Sequence, residues 1–449
     1  MCNLPWMTPA VFSTETLAHH PYGEAVMRIL GRAMQAVEPG NAVRRYVQRQ
    51  GDVLRVDEHE YHLGGVGRIR VLGVGKAAQA MSAALVELLA DRAPQGLLIP
   101  KHPPGEATPG LECQVGGHPV PDEHSLRAGD KAMRLVQGLD ENDLLICLIS
   151  GGGSALMSAP YLGITLADLQ QLTASLLTCG ARIDEINTLR RHLDRLKGGG
   201  LARLAAPARV VSLILSDVVG DPLEAIASGP TAPDPTTRED GRHILEKYDL
   251  QKTVPRAIIR ALETTAETSK PGDRLFERVQ NLIVGSNWMA AQAALQQAAA
   301  EGFQTGYMGD AWQGEAREVG IRLSQVLKSG AGERPTCLVG GGETTVTLRG
   351  QGRGGRNQEL ALAAVCALAG IPGVLLIALA TDGEDGPTQA AGAVVSGDTL
   401  GRGLALGLMP EDYLQDNNAY AYFDRLGDLL RPGPSGTNVN DLFFLFRFG

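Results

Sequence analysis

Lys76 sits in the run Val71-Leu72-Gly73-Val74-Gly75-Lys76-Ala77-Ala78, where an apolar stretch passes through two glycines into small residues. The pattern predicts a strand turning tightly into a helix. A lysine at a helix start faces the partial positive charge of the free N–H groups, and is favourable there only if both share an anion. A solvated surface lysine is the plain alternative. Gly73, Gly75 and Ala78 also fit GxGxxA, so a dinucleotide cofactor has to be weighed. The next strand-like run, residues 96–99, should then end near an Asp or Glu for the ribose hydroxyls, but it leads into Pro100-Lys101-His102. A nicotinamide cofactor is thereby disfavoured, although Lys101 keeps an NADP reading open. A GxxxxGK[ST] phosphate loop is excluded, because it needs glycine at Arg70 and a hydroxyl at Ala77.

Other segments carry related chemistry. Ser150-Gly151-Gly152-Gly153-Ser154 follows the apolar run 144–149. Three glycines there can turn successive N–H groups toward phosphate or carboxylate oxygens, and the serines add hydroxyls. A tight turn without a ligand is the competing reading. In residues 187–200, Arg190, Asp194 and Lys197 are spaced for one side of a helix, while Leu189, Leu193 and Leu196 supply its buried stripe. The ordinary expectation is a solvated charged face, with His192 a helix-surface histidine. Asp217 directly follows the run 210–215. Carboxylates at strand ends commonly hold magnesium against substrate phosphates, although Asp is also a frequent turn former.

Farther along, Gly340, Gly341 and Gly342 precede Glu343, and a glycine-rich loop carries Arg353 and Arg356 ahead of a helix expected over 358–368. Guanidinium groups suit phosphate better than ammonium does. The run 374–379 leads to Thr381-Asp382-Gly383-Glu384-Asp385, with three carboxylates at one strand end. No HxxxH, CxxC or Ser/His/Asp pattern competes, so metal-hydrolase and acyl-transfer chemistry find little support.

The elements that must position these residues read as an α/β protein. Short continuous apolar runs at 69–72, 96–99, 144–149, 210–215, 282–284 and 374–379 alternate with helical patterns, which predicts a mostly parallel, Rossmann-like sheet covered on both faces. Thr165 with Asp168 reads as an N-cap for a helix over 166–177, Asn418 as a cap for a helix to Leu426, and Pro39-Gly40 as the stop of the first helix. The polar stretch 240–273 reads as a linker or domain edge. The expected division is therefore 1–270, Rossmann-like with glycine-rich anion loops, and 271–449, a smaller α/β domain with a mixed sheet. Residues 146–153 and 336–342 echo one another, which suggests that each domain has a strand ending in a triple-glycine nest.

A chain of 449 residues with 44% hydrophobic and 20% charged residues can bury a large core. Its net charge of -9, with no long block of like charge, argues against a nucleic-acid or anionic-membrane partner, so a phosphate site has to be built locally. The 56 glycines exceed the usual share, and they cluster after the apolar runs. Cys2, Cys113, Cys147, Cys179, Cys337 and Cys366 are scattered, and read as reduced, buried thiols of a cytoplasmic protein. Residues 1–20 show no signal-peptide pattern, and no apolar stretch reaches membrane-spanning length.

Taken together the segments resemble the glycerate 2-kinase (class II glycerate kinase) family, whose C-terminal half is known as the MOFRL domain. The likeness covers residues 20–445. It rests on GVGKAA at 73–78, SGGGSAL at 150–156, LRRHLDRLKGGGLA at 189–202, SDVVGD and ASGPT within 216–231, GGETTV at 341–346, GGRNQE at 354–359, TDGEDGPT at 381–388 and GTNVNDL at 436–442. The resemblance implies ATP-dependent phosphorylation of D-glycerate to 2-phosphoglycerate, with Mg2+, in a cleft between two α/β domains. Lys76 and Arg356 match the family's essential cations. On this reading Lys76, Arg356 and Asp217 are the catalytic set. Gly75, Ser150, Gly151, Gly152, Gly153, Ser154, Arg190, Lys197, Gly341, Gly342, Glu343, Asn357 and Asp382 bind substrate or nucleotide, and Asp217 and Asp382 are the metal candidates. The family often has Pro at Val219 and Asp at Gln389 and Ser396, so an acidic role at those two positions is in doubt here. The expected partners are D-glycerate and ATP, with a homodimer left open. Relatives named as hydroxypyruvate reductases make an NAD(P)H-dependent reductase the alternative.

Overall fold

A computed structural model describes residues 8–329 and 334–448; Cys2 and the start of the residue 1–20 stretch lie outside them. The chain forms two compact units, Pro39–Val284 and the segment up to Glu38 joined with the residues from Gly285 onward. The boundary after Val284 lies within about twenty residues of the expected 270, whereas the placement of the segment up to Glu38 with the C-terminal unit departs from the expected division. The later boundary follows from the polar stretch 240–273, which is not a linker but carries the helices Arg238–Lys247 and Arg256–Thr264. Ile244, Leu245, Ile258 and Leu262 bury their apolar sides in a core shared with Leu172, Ile186 and Leu189. The N-terminal difference also has a packing cause. Helix Gly23–Ala36 buries Val26, Ile29, Leu30 and Met34 and contacts helix Asn287–Ala300.

The unit Pro39–Val284 opens with a small antiparallel sheet of β1 (Val47–Gln50), β2 (Val53–Val56) and β3 (His59–His62). Its main sheet has six strands, β4 (Ile69–Val74), β5 (Gln95–Ile99), β6 (Leu111–Cys113), β7 (Leu144–Ile149), β8 (Arg209–Leu215) and β9 (Val279–Gly285). They run in the order β6-β5-β4-β7-β8-β9, and the pairs among β4 to β8 are parallel. Counted along the chain this is the order 3-2-1-4-5-6 of the Rossmann-like folds. All six residues of β7 are buried, as a strand covered on both faces requires. The strand order reverses between β4 and β7. In open α/β sheets ligands bind beyond the C-terminal ends of the strands at such a reversal. The register Val74↔Ile149 therefore brings Gly75-Lys76 beside Ser150-Gly151.

The second unit holds β10 (Gln304–Tyr307), β11 (Trp312–Glu315), β12 (Thr336–Thr345), β13 (Val374–Ala380), β14 (Gly392–Ser396), β15 (Leu429–Leu430) and β16 (Asp441–Arg447). Their order is β10-β12-β16-β13-β14-β15, with β11 also on β12. The strands β10 and β11 run parallel to β12 and the other pairs are antiparallel, which makes the mixed sheet expected. Central β16 buries Leu442, Phe443, Phe444, Leu445 and Phe446.

Local signals fared unevenly. Thr165 and Asp168 form a reciprocal capping box on helix Leu166–Thr178. Asn418 precedes helix Ala419–Leu426 but accepts from Arg353 N–H instead of capping. Pro39 opens the helix Pro39–Tyr46 rather than only stopping its predecessor, since a proline at the first helical position lacks only an N–H that would be unpaired anyway. Cys147 and Cys337 are buried, and burial pushes the Cys147 thiol up to about 12, whereas Cys113 and Cys366 are exposed, contrary to the expectation for scattered core thiols. Among the described residues no helix is long and apolar enough to cross a membrane.

Candidate active site

At the reversal between β4 and β7 the backbone makes a cradle. Gly75 takes a positive φ of 120°, and its N–H donates to Ile99 O at 3.1 Å. A Cβ there would lie 2.3 Å from Ser150 Oγ and 2.4 Å from Ser150 O, so only glycine lets the two turns meet. Lys76 N–H donates to Gly151 O at 3.0 Å, and Ala77 N–H donates to Ser150 Oγ at 3.0 Å. The Lys76 side chain is exposed, with no hydrogen bond or ion pair among the described residues. Helix Ala78–Leu88 begins two residues later than Lys76, so the lysine lies in the turn and not in the helix. Ser150 is buried at 1% exposure, and its hydroxyl is used to lock the turn rather than being presented to solvent.

Gly152 has φ 89°, and Gly153 starts the short helix Gly153–Leu156. The N–H groups of Gly151, Gly152 and Gly153 meet no protein acceptor among the described residues, as an anion nest requires. Around this nest lie three groups. The Asp217 carboxylate rests on the Gly151 backbone, with Oδ2 1.8 Å from where a Cβ would stand. The His118 ring lies over Gly152, with Cδ2 3.1 Å from its Cβ position. Ser154 Oγ shares a 2.8 Å hydrogen bond with Ser228 Oγ. Burial, together with the charges of Lys76, Lys101 and His102, holds the His118 imidazole below its ordinary value. Ala227, Ser228 and Gly229 all take left-handed backbone angles. Such strain in non-glycine residues concentrates at functional sites.

Behind the cradle the structure corrects the charged-face expectation. Helix Ile183–His192 ends before Asp194 and Lys197, which fall in the following turn and are buried. Lys197 Nζ pairs with Asp194 Oδ2 at 2.5 Å and donates to Met157 O at 3.1 Å. Burial lowers the Lys197 pKa against the pull of Asp194. His192 is not at the surface: at 1% exposure, it bonds Thr188 O and Glu267 through its two ring nitrogens. The buried leucine stripe is as expected, with Leu189, Leu193 and Leu196 all fully buried.

In the other unit, Gly340, Gly341 and Gly342 do not form a nest. They lie inside β12, paired to β16, because neighbouring groups leave no room for side chains: Asn287 Oδ1 is 1.8 Å from the Gly341 Cβ position and Trp312 O 2.0 Å from that of Gly342. Arg356 is the first residue of helix Arg356–Leu368. Its Nε and Nη2 bind both oxygens of Asp441 at 2.6 and 3.1 Å, and its Nη1 binds Glu343 at 2.7 Å. Burial works against the Arg356 charge, but Asp441 and Glu343 outweigh it and raise its pKa. Burial likewise pushes the Asp441 carboxyl up against the pull of Arg356. With two direct hydrogen bonds between them, the proton stays on the guanidinium and the pair is ionised at neutral pH.

Asn357 is fully buried and donates to Asp385, whose carboxylate also accepts the N–H groups of Asn357 and Gln358 and so caps the helix. Burial pushes Asp385 up to about 6, with those hydrogen bonds pulling the other way. A groove of about 790 Å³ is lined by Thr344, Gly352, Gly355, Arg356, Asp382 and Glu384 among others, a volume within the usual range for small-molecule sites. Asp382 Oδ1 accepts from Glu384 N–H at 3.2 Å.

The fold thus gathers Lys76, Gly75, Ser150 to Ser154 and Asp217 at one strand reversal, with Arg190 and Lys197 behind Ser154, and separately gathers Arg356, Glu343, Asn357 and Asp382. Among the described residues no group of three or more His, Cys, Asp or Glu is assembled for a metal. Sequence reasoning misses His118, gives Asp441 no role of its own, and shows Asp385 only as one of three carboxylates at a strand end, not as the cap of helix Arg356–Leu368. Asp441 lies within a stretch already quoted at 436–442, but an acid opening a strand of phenylalanines carries no local sign of its partner.

Two family models match the chain, one described as a domain of unknown function (DUF4147) over residues 25–263 and the MOFRL family over residues 336–441. A D-glycerate 2-kinase of Thermotoga maritima is 39% identical over 424 residues, covering 93% of this chain and 96% of that protein. A protein of Agrobacterium vitis bearing a hydroxypyruvate reductase name is 42% identical over 385 residues, covering 84% and 86%. The crystal structure of the glycerate kinase from Thermotoga maritima superimposes with a TM-score of 0.84 at 38% identity, covering 94% of this chain and 99% of that one.

Proposed function

This chain belongs to the glycerate kinase family, and on that premise we propose that it transfers the terminal phosphoryl group of ATP to D-glycerate, forming 2-phosphoglycerate. The observation that carries the reading is Lys76, an exposed ammonium with no counter-ion among the described residues, beside three glycine N–H groups that meet no acceptor among those residues at the strand reversal. Phosphoryl transfer asks a protein mainly for positioning and for charge opposite the transferred group. In this reading the Gly151 to Gly153 amides and Lys76 hold an anionic oxygen, Gly75 and Ser150 keep the turn in register, and Asp217 stands at the rim. Arg356 contributes its Nη1 edge, the edge now on exposed Glu343, while Asp441 grips the other side. Asn357 acts through Asp385 by fixing the helix start, and Gly341 and Gly342 act by letting β12 and Asn287 pack closely. Magnesium bound with the nucleotide would neutralise phosphate charge. Asp217 by the nest and Asp382 in the groove fit it, since magnesium usually takes only one or two carboxylates besides phosphate oxygens.

The test is a phosphorus NMR spectrum after incubation with ATP, magnesium and D-glycerate. A new phosphomonoester resonance from a phosphate on C2 is expected; unchanged ATP, or a phosphate on C3, overturns the assignment. The Rossmann-like strand order favours one second reading, hydroxypyruvate reduction by NAD(P)H. Lys101 and His102 follow β5 where a ribose-binding acid would stand, which opposes it. Loss of nicotinamide absorbance with hydroxypyruvate, in the absence of ATP, would establish that reading instead.

A further inference from the structure

Arg190 and its neighbour Arg191 lie on one helix but in opposite electrostatic situations. Arg191 is buried and matched: Nε lies 2.8 Å from Asp234, and its other nitrogens donate to Glu224 O, Thr188 and Thr236. Arg190 is mostly buried yet makes a single long hydrogen bond, 3.3 Å to Asn187 Oδ1, and no ion pair among the described residues. A guanidinium has five N–H donors, so most of its capacity is unused. Burial lowers its pKa, with no carboxylate pulling the other way.

The carboxylate that lines the same pocket is not available to it. Asp194 is committed to Lys197 Nζ, Ser158 Oγ, and the N–H groups of Ala159 and Leu196. The Lys197 charge meanwhile repels Arg190. Two cations and one anion in a leucine-walled pocket leave a positive charge out of water without a matching anion, an arrangement that is unfavourable unless an anion enters. The pocket is lined by Arg190, Lys197, Asp194, Ser158 and Ser154, the last of which belongs to the Gly151 to Gly153 turn. Its free space is about 30 Å³, room for a small planar anion but not for a polyphosphate.

We propose that Arg190 is the specificity residue for the acid group: its guanidinium fork receives the substrate's carboxylate, with Ser154 beside it, while the hydroxyl to be phosphorylated lies toward the glycine turn. This rests on the kinase reading above. The planar fork matches a carboxylate through two parallel hydrogen bonds, which an ammonium cannot reproduce.

Arg190→Met and Arg190→Lys are compared with the wild-type protein in steady-state assays with D-glycerate, with glyceraldehyde, which keeps the hydroxyls but lacks the carboxylate, and with varied ATP. The expected result for Arg190→Met is a KM for D-glycerate raised on the order of a hundredfold, an unchanged KM for ATP, and collapse of the preference for D-glycerate over glyceraldehyde. Arg190→Lys should recover part of the loss. The melting temperature of Arg190→Met should not fall, because the arginine satisfies no buried carboxylate. An unchanged KM for D-glycerate, or a rise confined to ATP, overturns the inference. So does a lower melting temperature with the D-glycerate preference intact. Calorimetry with D-glycerate and no ATP separates the two readings. Binding that depends on Arg190 in a protein that transfers no phosphoryl group upholds the carboxylate site and removes the kinase; transfer without any dependence on Arg190 does the reverse.

Discussion

Lys76 and Arg356 matched the same family role, yet their surroundings make opposite demands. The Lys76 side chain is exposed and meets no hydrogen-bond or ion-pair partner among the described residues, so Lys76→Ala should lower turnover about a thousandfold while leaving the unfolding midpoint unchanged; turnover near wild type would remove it from the mechanism. Arg356 is the partner of a buried carboxylate. Removing one member of such a pair strands the other, so Arg356→Ala should cost stability on the order of 2–4 kcal/mol in addition to activity. The two substitutions are therefore expected to differ, with lost turnover alone at Lys76 and lost turnover together with lost stability at Arg356. Introducing Asp441→Asn should shrink the stability cost of Arg356→Ala, since the stranded charge is gone. Equal costs in both backgrounds, read by urea unfolding, would show that the ion pair is not the cause.

At the scale of elements, what holds the start of helix Arg356–Leu368 is an acid from a neighbouring loop rather than a cap from its own chain segment. Gly355 precedes the helix and has no side chain to offer, so the Asn357 and Gln358 N–H groups turn to Asp385. The same burial that makes this cap firm makes it pH-dependent. Asp385 titrates at about 6 in the folded chain and near 3.9 when unfolded. Its contribution to stability is thus fully present below the unfolded value and is lost as pH rises through about 6. The difference in unfolding free energy between Asp385→Asn and wild type should therefore shift in favour of the variant between about pH 4 and 7, by roughly 2–3 kcal/mol. A difference that stays flat with pH would show that the group is not buried as an acid. The glycine runs give a second lesson at this scale. Gly151 to Gly153 terminate a strand and turn their N–H groups outward, while Gly340 to Gly342 continue one, although the two stretches look alike in sequence.

For the whole molecule, the N-terminal helices are part of the unit that ends the chain. Asp428, fully buried, accepts from Thr16 N–H and Thr16 Oγ at 2.8 Å each and pairs with Arg402 at 2.8 Å. Asp428→Ala should therefore destabilise that unit by about 2–4 kcal/mol, Thr16→Val by about 1 kcal/mol, and the two changes should be non-additive in urea unfolding. Strict additivity would mean that the 412-residue contact contributes nothing. Nothing in residues 14–17 announces that partner. What the sequence by itself determined was what short-range chemistry controls: the continuous apolar strands, the Thr165 capping box, the glycine turn at Gly75, and the lysine and serines that follow from it. Ordered motifs along the chain extended this to the family. Only the tertiary structure decided which charges are compensated: Arg191 against Asp234, Lys197 against Asp194, Arg356 against Asp441, and Arg190 against no carboxylate among the described residues. A side chain's type and spacing state what it can do, but whether its charge is already spent depends on carboxylates brought from distant segments into a medium that screens poorly.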